Sequence, residues 1–126
     1  MLFRSSSSAA KIGGLLALGN QVTSNSAACS TGTEAIIMGF ERIRAGLADR
    51  MVVGSTEGSH PYIWSGFDAM KVLAKQSNDA PTKASRPMSQ TAAGFVPGSG
   101  AGVLVLEELG VALERGARIY AEIKGT

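Results

Sequence analysis

The sequence predicts an α/β layered fold within one domain. Two short apolar runs, Arg50–Ser55 and Gly102–Glu107, read as buried strands. Segments with apolar residues at helical spacing lie before, between and after them. Glycine supplies 16 of the 126 residues and sits inside apolar segments, not in linker-like tracts. Small residues there suit closely stacked layers, or backbone pressed against a ligand. Strands alternating with helices define the α/β class.

In chain order, residues 1–9 read as a frayed or truncated start. Lys11–Leu18 reads as a short helix with Gly19-Asn20 as its stop. Gln21–Ala27 reads as a weak strand rich in Ser and Asn. Thr31-Gly32-Thr33-Glu34 fits a capping box, with Thr31 as N-cap and Glu34 reaching back. Ile36, Phe40 and Ile43 then give a helix over about Gly32–Ala45. Gly46 suits its stop, with Leu47 covering the last turn. After the strand Arg50–Ser55, Pro61 is placed for the first turn of a helix whose apolar stripe is Ile63, Phe67 and Met70. Lys75–Pro97, with three prolines and many polar residues, is a long loop. Leu109–Arg115 is a short helix ended by Gly116. Ile119–Lys124 alternates as a half-exposed strand.

Charge and composition exclude several classes. Charged residues make up 17%, which argues against disorder. Net charge is +2, and the basic residues are scattered, so no nucleic-acid footprint is present. No apolar run reaches the length of a membrane span. A single cysteine excludes an internal disulfide and a cysteine-built metal site, and it fits a reduced, cytoplasmic setting.

Cys29 is the leading candidate for chemistry. It stands between a predicted strand and a predicted helix start, in Ala27-Ala28-Cys29-Ser30-Thr31-Gly32. Unpaired amides and the helix dipole stabilise negative charge there, which suits a thiol nucleophile. The strand–turn–helix placement is that of a nucleophile elbow. His60, the only histidine, has no placement beside Cys29 and reads as structural or surface. Gly98-Ser99-Gly100-Ala101-Gly102 precedes a strand and lacks the last glycine of a dinucleotide loop. It reads as a tight turn that lets backbone pass close to another layer. Glu57 reads as a loop or capping partner, and Trp64, Phe67 and Met70 as core.

Four segments together resemble one family. Ala28-Cys29-Ser30-Thr31-Gly32-Thr33 is similar to the nucleophile segment of the β-ketoacyl-[acyl-carrier-protein] synthases. Ala84-Ser85-Arg86-Pro87, then Gly94-Phe95-Val96 with the run Gly98 to Glu108, resemble that family's next motifs. Arg115-Gly116-Ala117-Arg118-Ile119-Tyr120-Ala121-Glu122 resembles the stretch after them. Order and spacing match as well, over about Ala10–Thr126.

The resemblance implies a thiolase-like layered α/β fold, here the partial, nucleophile-bearing portion of the synthase domain over residues 1–126. It implies that Cys29 takes an acyl chain from an acyl carrier protein. Decarboxylation of a malonyl unit and attack on the acyl-enzyme then lengthen the chain, in fatty acid or polyketide synthesis. Phosphopantetheine on the carrier is the only prosthetic group implied, and a dimer of the complete enzyme is expected. Phe67 aligns with a pocket aromatic. Ile63 stands where a glycine often lines the acyl tunnel, so a narrowed tunnel and short or unusual acyl chains are expected. Lys71 aligns with a basic position facing the acidic carrier. The two histidines and the lysine of the family have no counterpart here, so these 126 residues are expected to accept an acyl group without completing condensation. Met88, Ser89 and Ser99 replace an aromatic and two acids of the family pattern, which removes partners for Arg86 and suggests a specialised subfamily. The alternative is a non-catalytic thiolase-like partner subunit or an inactive fragment.

Overall fold

A computed structural model of the chain describes residues 7–126. In chain order its elements are α1 (Ser7–Leu15), α2 (Thr31–Arg44), β1 (Arg50–Glu57), α3 (Pro61–Ala69), β2 (Gly100–Glu107) and α4 (Leu109–Glu114). Short 3-10 turns stand at Ala28–Ser30 and Pro81–Lys83. The chain divides into two compact units. One holds the sequence up to Ser55 together with Gly102–Thr126, and the other is Thr56–Ala101.

In the first unit, β1 and β2 form a two-stranded sheet. Arg50 donates to Glu107 at 2.6 Å, and the Glu108 N–H donates to the Asp49 carbonyl at 2.9 Å. Gly54 abuts Gly102 and Val103. Numbers rise along one strand as they fall along the other, so the pair is antiparallel. A Cβ at Gly54 would lie 2.1 Å from the Gly102 carbonyl oxygen, so this crossing requires glycine. α2 lies on the sheet through its own small residues. Gly39 is buried, and a Cβ there would lie 2.6 Å from Val53 Cγ1 and 3.1 Å from Leu106 Cδ1. Val53 and Ala112 are the buried apolar residues among those described. Gly39 and Gly54 thus serve close layer packing, whereas a Cβ at Gly14, Gly66 or Gly100 would meet nothing within 4 Å.

Two of the three helix ends marked by glycine behave as expected, whereas α1 ends at Leu15, ahead of Gly19. Gly46 has φ +69; its N–H donates to Ile43 and the Leu47 N–H to Arg42, which satisfies the last carbonyls of α2. Gly116, with φ +66, ends α4 in the same way, its N–H donating to Leu113 and the Ala117 N–H to Ala112. Glu108 caps the start of α4 by accepting the Val111 N–H at 2.8 Å. Glu107 joins three elements: its carboxylate accepts from Arg50 on β1 and is held bidentately by Arg115 at the end of α4. The Arg115 guanidinium first, and Arg50 second, hold this carboxyl far down, at about 2.

Several expectations are corrected. The irregular start expected over residues 1–9 lies outside the described residues for 1–6, and Ser7–Ala9 are already helical. The first helix therefore starts and ends earlier than Lys11–Leu18. Gln21–Ala27 forms no strand. Its polar side chains bond elsewhere: the Asn25 amide donates to the Thr31 carbonyl at 3.3 Å. Just ahead of it, Asn20 donates to the Leu47 carbonyl and accepts from Arg42, both at 2.6 Å. Ile119–Lys124 forms no strand among the described residues, since a strand needs a neighbour that periodicity cannot supply. The expected turn at Gly98–Gly102 is absent. Gly100 opens β2, and only the close backbone approach at Gly102 holds.

In the second unit, Pro61 occupies the first turn of α3 as expected. His60 is its N-cap: Nδ1 accepts the Tyr62 N–H at 3.3 Å, and its ring stacks on Tyr62 at 5.1 Å. The two ends of the long loop are tied by a parallel bridge between Leu73 and Phe95. Gly94, at φ +127, precedes it; a Cβ there would lie 2.4 Å from the Val72 carbonyl oxygen. Phe95 meets Phe67 edge to face, with centroids 5.9 Å apart. Arg86 donates to Ser77 Oγ at 3.2 Å, while its buried Nε has no partner among the described residues.

Candidate active site

Cys29 is an exposed free thiol in the 3-10 turn Ala28–Ser30, which runs straight into α2. Hydroxyls hold this turn. Thr31 Oγ1 accepts the Ala27 N–H and donates to the Ala28 carbonyl, both at 2.8 Å. Ser30 Oγ donates to the Ala27 carbonyl at 2.8 Å. Ala28 is held at φ +50, a left-handed conformation rare for a residue with a Cβ. Ala28 shares this left-handed backbone with Ala17, Asn20, Lys71 and Met88, and it stands directly before the thiol.

The expected capping box does not form. Ser30 stands at the N-cap without a side-chain cap bond. Thr31 spends its hydroxyl inside the turn instead, and Glu34 accepts from the Asn25 amide at 3.3 Å. The structural importance of Thr31 was visible in the sequence, but a capping role and a turn-bridging role call for the same residue type. Gly32 follows, and a Cβ there would lie 2.7 Å from Ser55 Oγ, so the first turn of α2 sits tightly on β1.

The other candidate residues lie in Thr56–Ala101. Ile63 and Phe67 are four residues apart on α3 and share one face. Ile63 is exposed and Phe67 half-buried against Phe95. Lys71 follows the end of α3 at φ +58, where its N–H donates to the Asp68 carbonyl at 2.8 Å. It lines a shallow groove with Asp68, Leu73, Lys75 and Gln76, in which Lys75 is ion-paired to Asp68. Lysine in this left-handed position was not legible in the sequence, because glycine or asparagine is the usual occupant. His60 serves as a helix cap, as the structural reading expected.

Among the described residues no group of three or more His, Cys, Asp or Glu side chains could hold a metal ion. No described helix is long and apolar enough to cross a membrane.

Residues 4–112 match the family of the beta-ketoacyl synthase N-terminal domain. The chain is 52% identical over 99 residues to 3-oxoacyl-[acyl-carrier-protein] synthase 2 of Rhizobium meliloti (strain 1021), covering 78% of this chain and 24% of that protein. It is 45% identical over 105 residues to the tetracenomycin polyketide synthase ketoacyl synthase alpha subunit of Streptomyces glaucescens, with 82% and 24% covered. A solved type II polyketide synthase complex, of an acyl carrier protein with its ketosynthase bound to the hexaketide, superposes with TM-score 0.90 at 33% identity, covering 94% of this chain and 29% of that one. A beta-ketoacyl synthase from Burkholderia phymatum STM815 gives TM-score 0.84 at 31% identity, over 90% and 28% of the two chains. The chain thus spans about a quarter of the length of these curated relatives. With residues 4–112 matched, the greater part of its length, the chain belongs to the beta-ketoacyl synthase family, within the N-terminal domain.

Proposed function

We propose that residues 1–126 are the nucleophile-bearing part of a β-ketoacyl-[acyl-carrier-protein] synthase and that Cys29 is its nucleophile. Cys29 Sγ attacks the carbonyl carbon of an acyl thioester on a carrier protein. The tetrahedral intermediate collapses, the carbon–sulfur bond to phosphopantetheine breaks, and the departing thiolate takes up a proton. The acyl group is then a thioester of Cys29. A malonyl unit on a second carrier loses carbon dioxide, and the electron pair left on carbon attacks the acyl group. Cys29 leaves as thiolate and the chain is two carbons longer. The Cys29 N–H supplies one donor to the oxyanion. The family resemblance assigns the decarboxylation to two histidines and a lysine that have no counterpart in these residues.

The observation that carries this reading is the exposed thiol on a strained turn at the threshold of α2, in a chain of this family. Phe67 and Ile63 line the acyl site in this reading, and Lys71 meets the acidic carrier. The carrier's phosphopantetheine is the only prosthetic group required. The complete enzyme works as a cytoplasmic dimer, in fatty acid or polyketide synthesis.

The test is acylation of the chain by an acyl-pantetheine thioester, read by peptide mass spectrometry. The expected product is one acyl adduct on the Cys29 peptide, absent from Cys29→Ala. An unmodified Cys29 under conditions that acylate the Rhizobium meliloti relative would overturn the reading.

A further inference from the structure

The segment that leads into the thiol turn is secured to α2 by one side chain. Within Gln21–Ala27 only Asn25 and Ala27 are half-buried, and the rest is exposed. Both are tied to Thr31, the first residue of α2. The Ala27 N–H donates to Thr31 Oγ1, and that hydroxyl donates on to the Ala28 carbonyl. These two bonds close the turn on itself. Asn25 reaches further along the helix. Its amide donates to the Thr31 carbonyl and to Glu34 Oε2, both at 3.3 Å. An amide nitrogen carries two hydrogens, so both are used. Thr31 and Glu34 stand three residues apart, on the same side of the helix. Two anchors along a helix fix a direction, whereas one anchor leaves a pivot.

α2 is a firm frame for such an anchor. Its first turn sits on β1 where Gly32 meets Ser55, and Gly39 is buried against Val53. Cys29 is not held by that packing. It is exposed in a 3-10 turn, directly after Ala28 at φ +50, and Ser30 makes no side-chain cap bond to α2. The angle between this turn and α2 therefore falls to Asn25. We propose that Asn25, held on Glu34, is a positioning residue for Cys29: it fixes the direction in which the thiol turn meets α2, and with it the line along which Sγ attacks an acyl thioester. This rests on the reading of Cys29 as the nucleophile. Acyl transfer needs the sulfur and the oxyanion donor of one residue placed together, so it is sensitive to that direction. Alkylation of an exposed thiol by a small reagent makes no such demand.

Two reactions of the full chain test it: acylation by an acyl-pantetheine thioester and alkylation by iodoacetamide. Asn25→Asp keeps the shape of the side chain and removes both donors. Its acylation is expected to be about tenfold slower at saturating thioester, with alkylation within about twofold of wild type. Adding Glu34→Gln returns one bond in the reverse sense, amide to carboxylate, and is expected to recover part of the rate. Glu34 is exposed, so Glu34→Ala leaves the fold intact. With the outer anchor gone, its acylation is expected to slow about threefold. Acylation at the wild-type rate in either single variant, or an equal loss in both reactions, overturns the proposal. A wild-type chain that resists acylation overturns the Cys29 reading instead. Hydrogen exchange tests the anchor without any reaction. In Asn25→Asp the Ala27 and Ser30 amides are expected to exchange about tenfold faster, with those of Phe40–Arg44 unchanged. Unchanged exchange at Ala27 and Ser30 overturns the proposal.

Discussion

Gly54 and Gly102 meet backbone to backbone across the sheet, with the position of a Gly54 Cβ only 2.1 Å from the Gly102 carbonyl oxygen. Neither partner can yield, because the obstacle is main chain within a strand pair. Gly54→Ala is expected to destabilise the fold by ~3 kcal/mol, the upper part of the range for overpacking. Urea denaturation of the two proteins side by side measures it. An unchanged midpoint would show that the strands can part there without loss.

Gly39 presents a softer obstacle. Its missing Cβ faces the methyl of Val53 at 2.6 Å and that of Leu106 at 3.1 Å, which are side chains and not backbone. Gly39→Ala is expected to cost about 1–3 kcal/mol. Adding Val53→Ala should recover part of that cost, so the double variant is less destabilised than the two single effects combined. Simple additivity would mean that α2 does not press on β1 at this point.

Thr31 bridges the Ala27 N–H and the Ala28 carbonyl through one hydroxyl. Thr31→Val keeps the shape and removes both bonds. The expected cost is about 1–2 kcal/mol of stability. Acylation of Cys29 should also slow by roughly tenfold, since small displacements of a reacting group are costly. Thr31→Ser should restore the rate. Quenched acylation assays at a temperature where both variants are fully folded separate this from a loss of stability, and an unchanged rate in Thr31→Val would show that the turn does not position the thiol.

Glu107 makes stability depend on acid. Its folded carboxyl is lowered from the usual 4.5 to about 2, by Arg115 first and Arg50 second. The folded state therefore binds this proton less readily than the unfolded chain does. The stabilisation is fully present above about 4.5 and is lost as pH falls toward about 2. Unfolding midpoints of wild type and Glu107→Gln should differ near neutral pH and converge at the acid end. Arg115→Ala should reduce the slope more than Arg50→Ala.

Lys71 places its proposed role in carrier docking and its backbone in opposition. At φ +58 it occupies a helix-end position that favours glycine. Lys71→Gly is expected to raise stability by about 1 kcal/mol. The same change should slow association with an acidic carrier protein, an effect largest at low ionic strength. Lys71→Glu should slow it further. Thermal unfolding and stopped-flow binding give the two readings.

What could be read in advance was local. Gly46, Gly116 and Pro61 marked helix ends because each satisfies a conformational demand of its own turn. Of the junction read around Cys29, the helix start after it forms and the strand before it does not; the flanking residues carried the family resemblance. The misread segments depended on partners. Gln21–Ala27 and Ile119–Lys124 have strand-like composition or alternation, yet a strand exists only where a neighbour lies beside it. Thr31 and Glu34 fit a capping box, but the turn around Cys29 competed for the same hydroxyl and won. The clamp of Glu107 by Arg50 and Arg115 depended on strand register, which no motif announced.

β2 has a further consequence for anyone handling the chain. Leu106 reaches α2, but Val103 and Val105 point to the opposite side, 55% and 65% exposed. Leu104 is 51% exposed as well. A two-stranded sheet with one bare greasy side is a poor colloid. Its solubility should fall steeply with protein concentration and with sulfate-type salts, and recover when Val103 and Val105 are changed to threonine. The strand that lies closest to β1 is therefore also the place where the purification will succeed or fail.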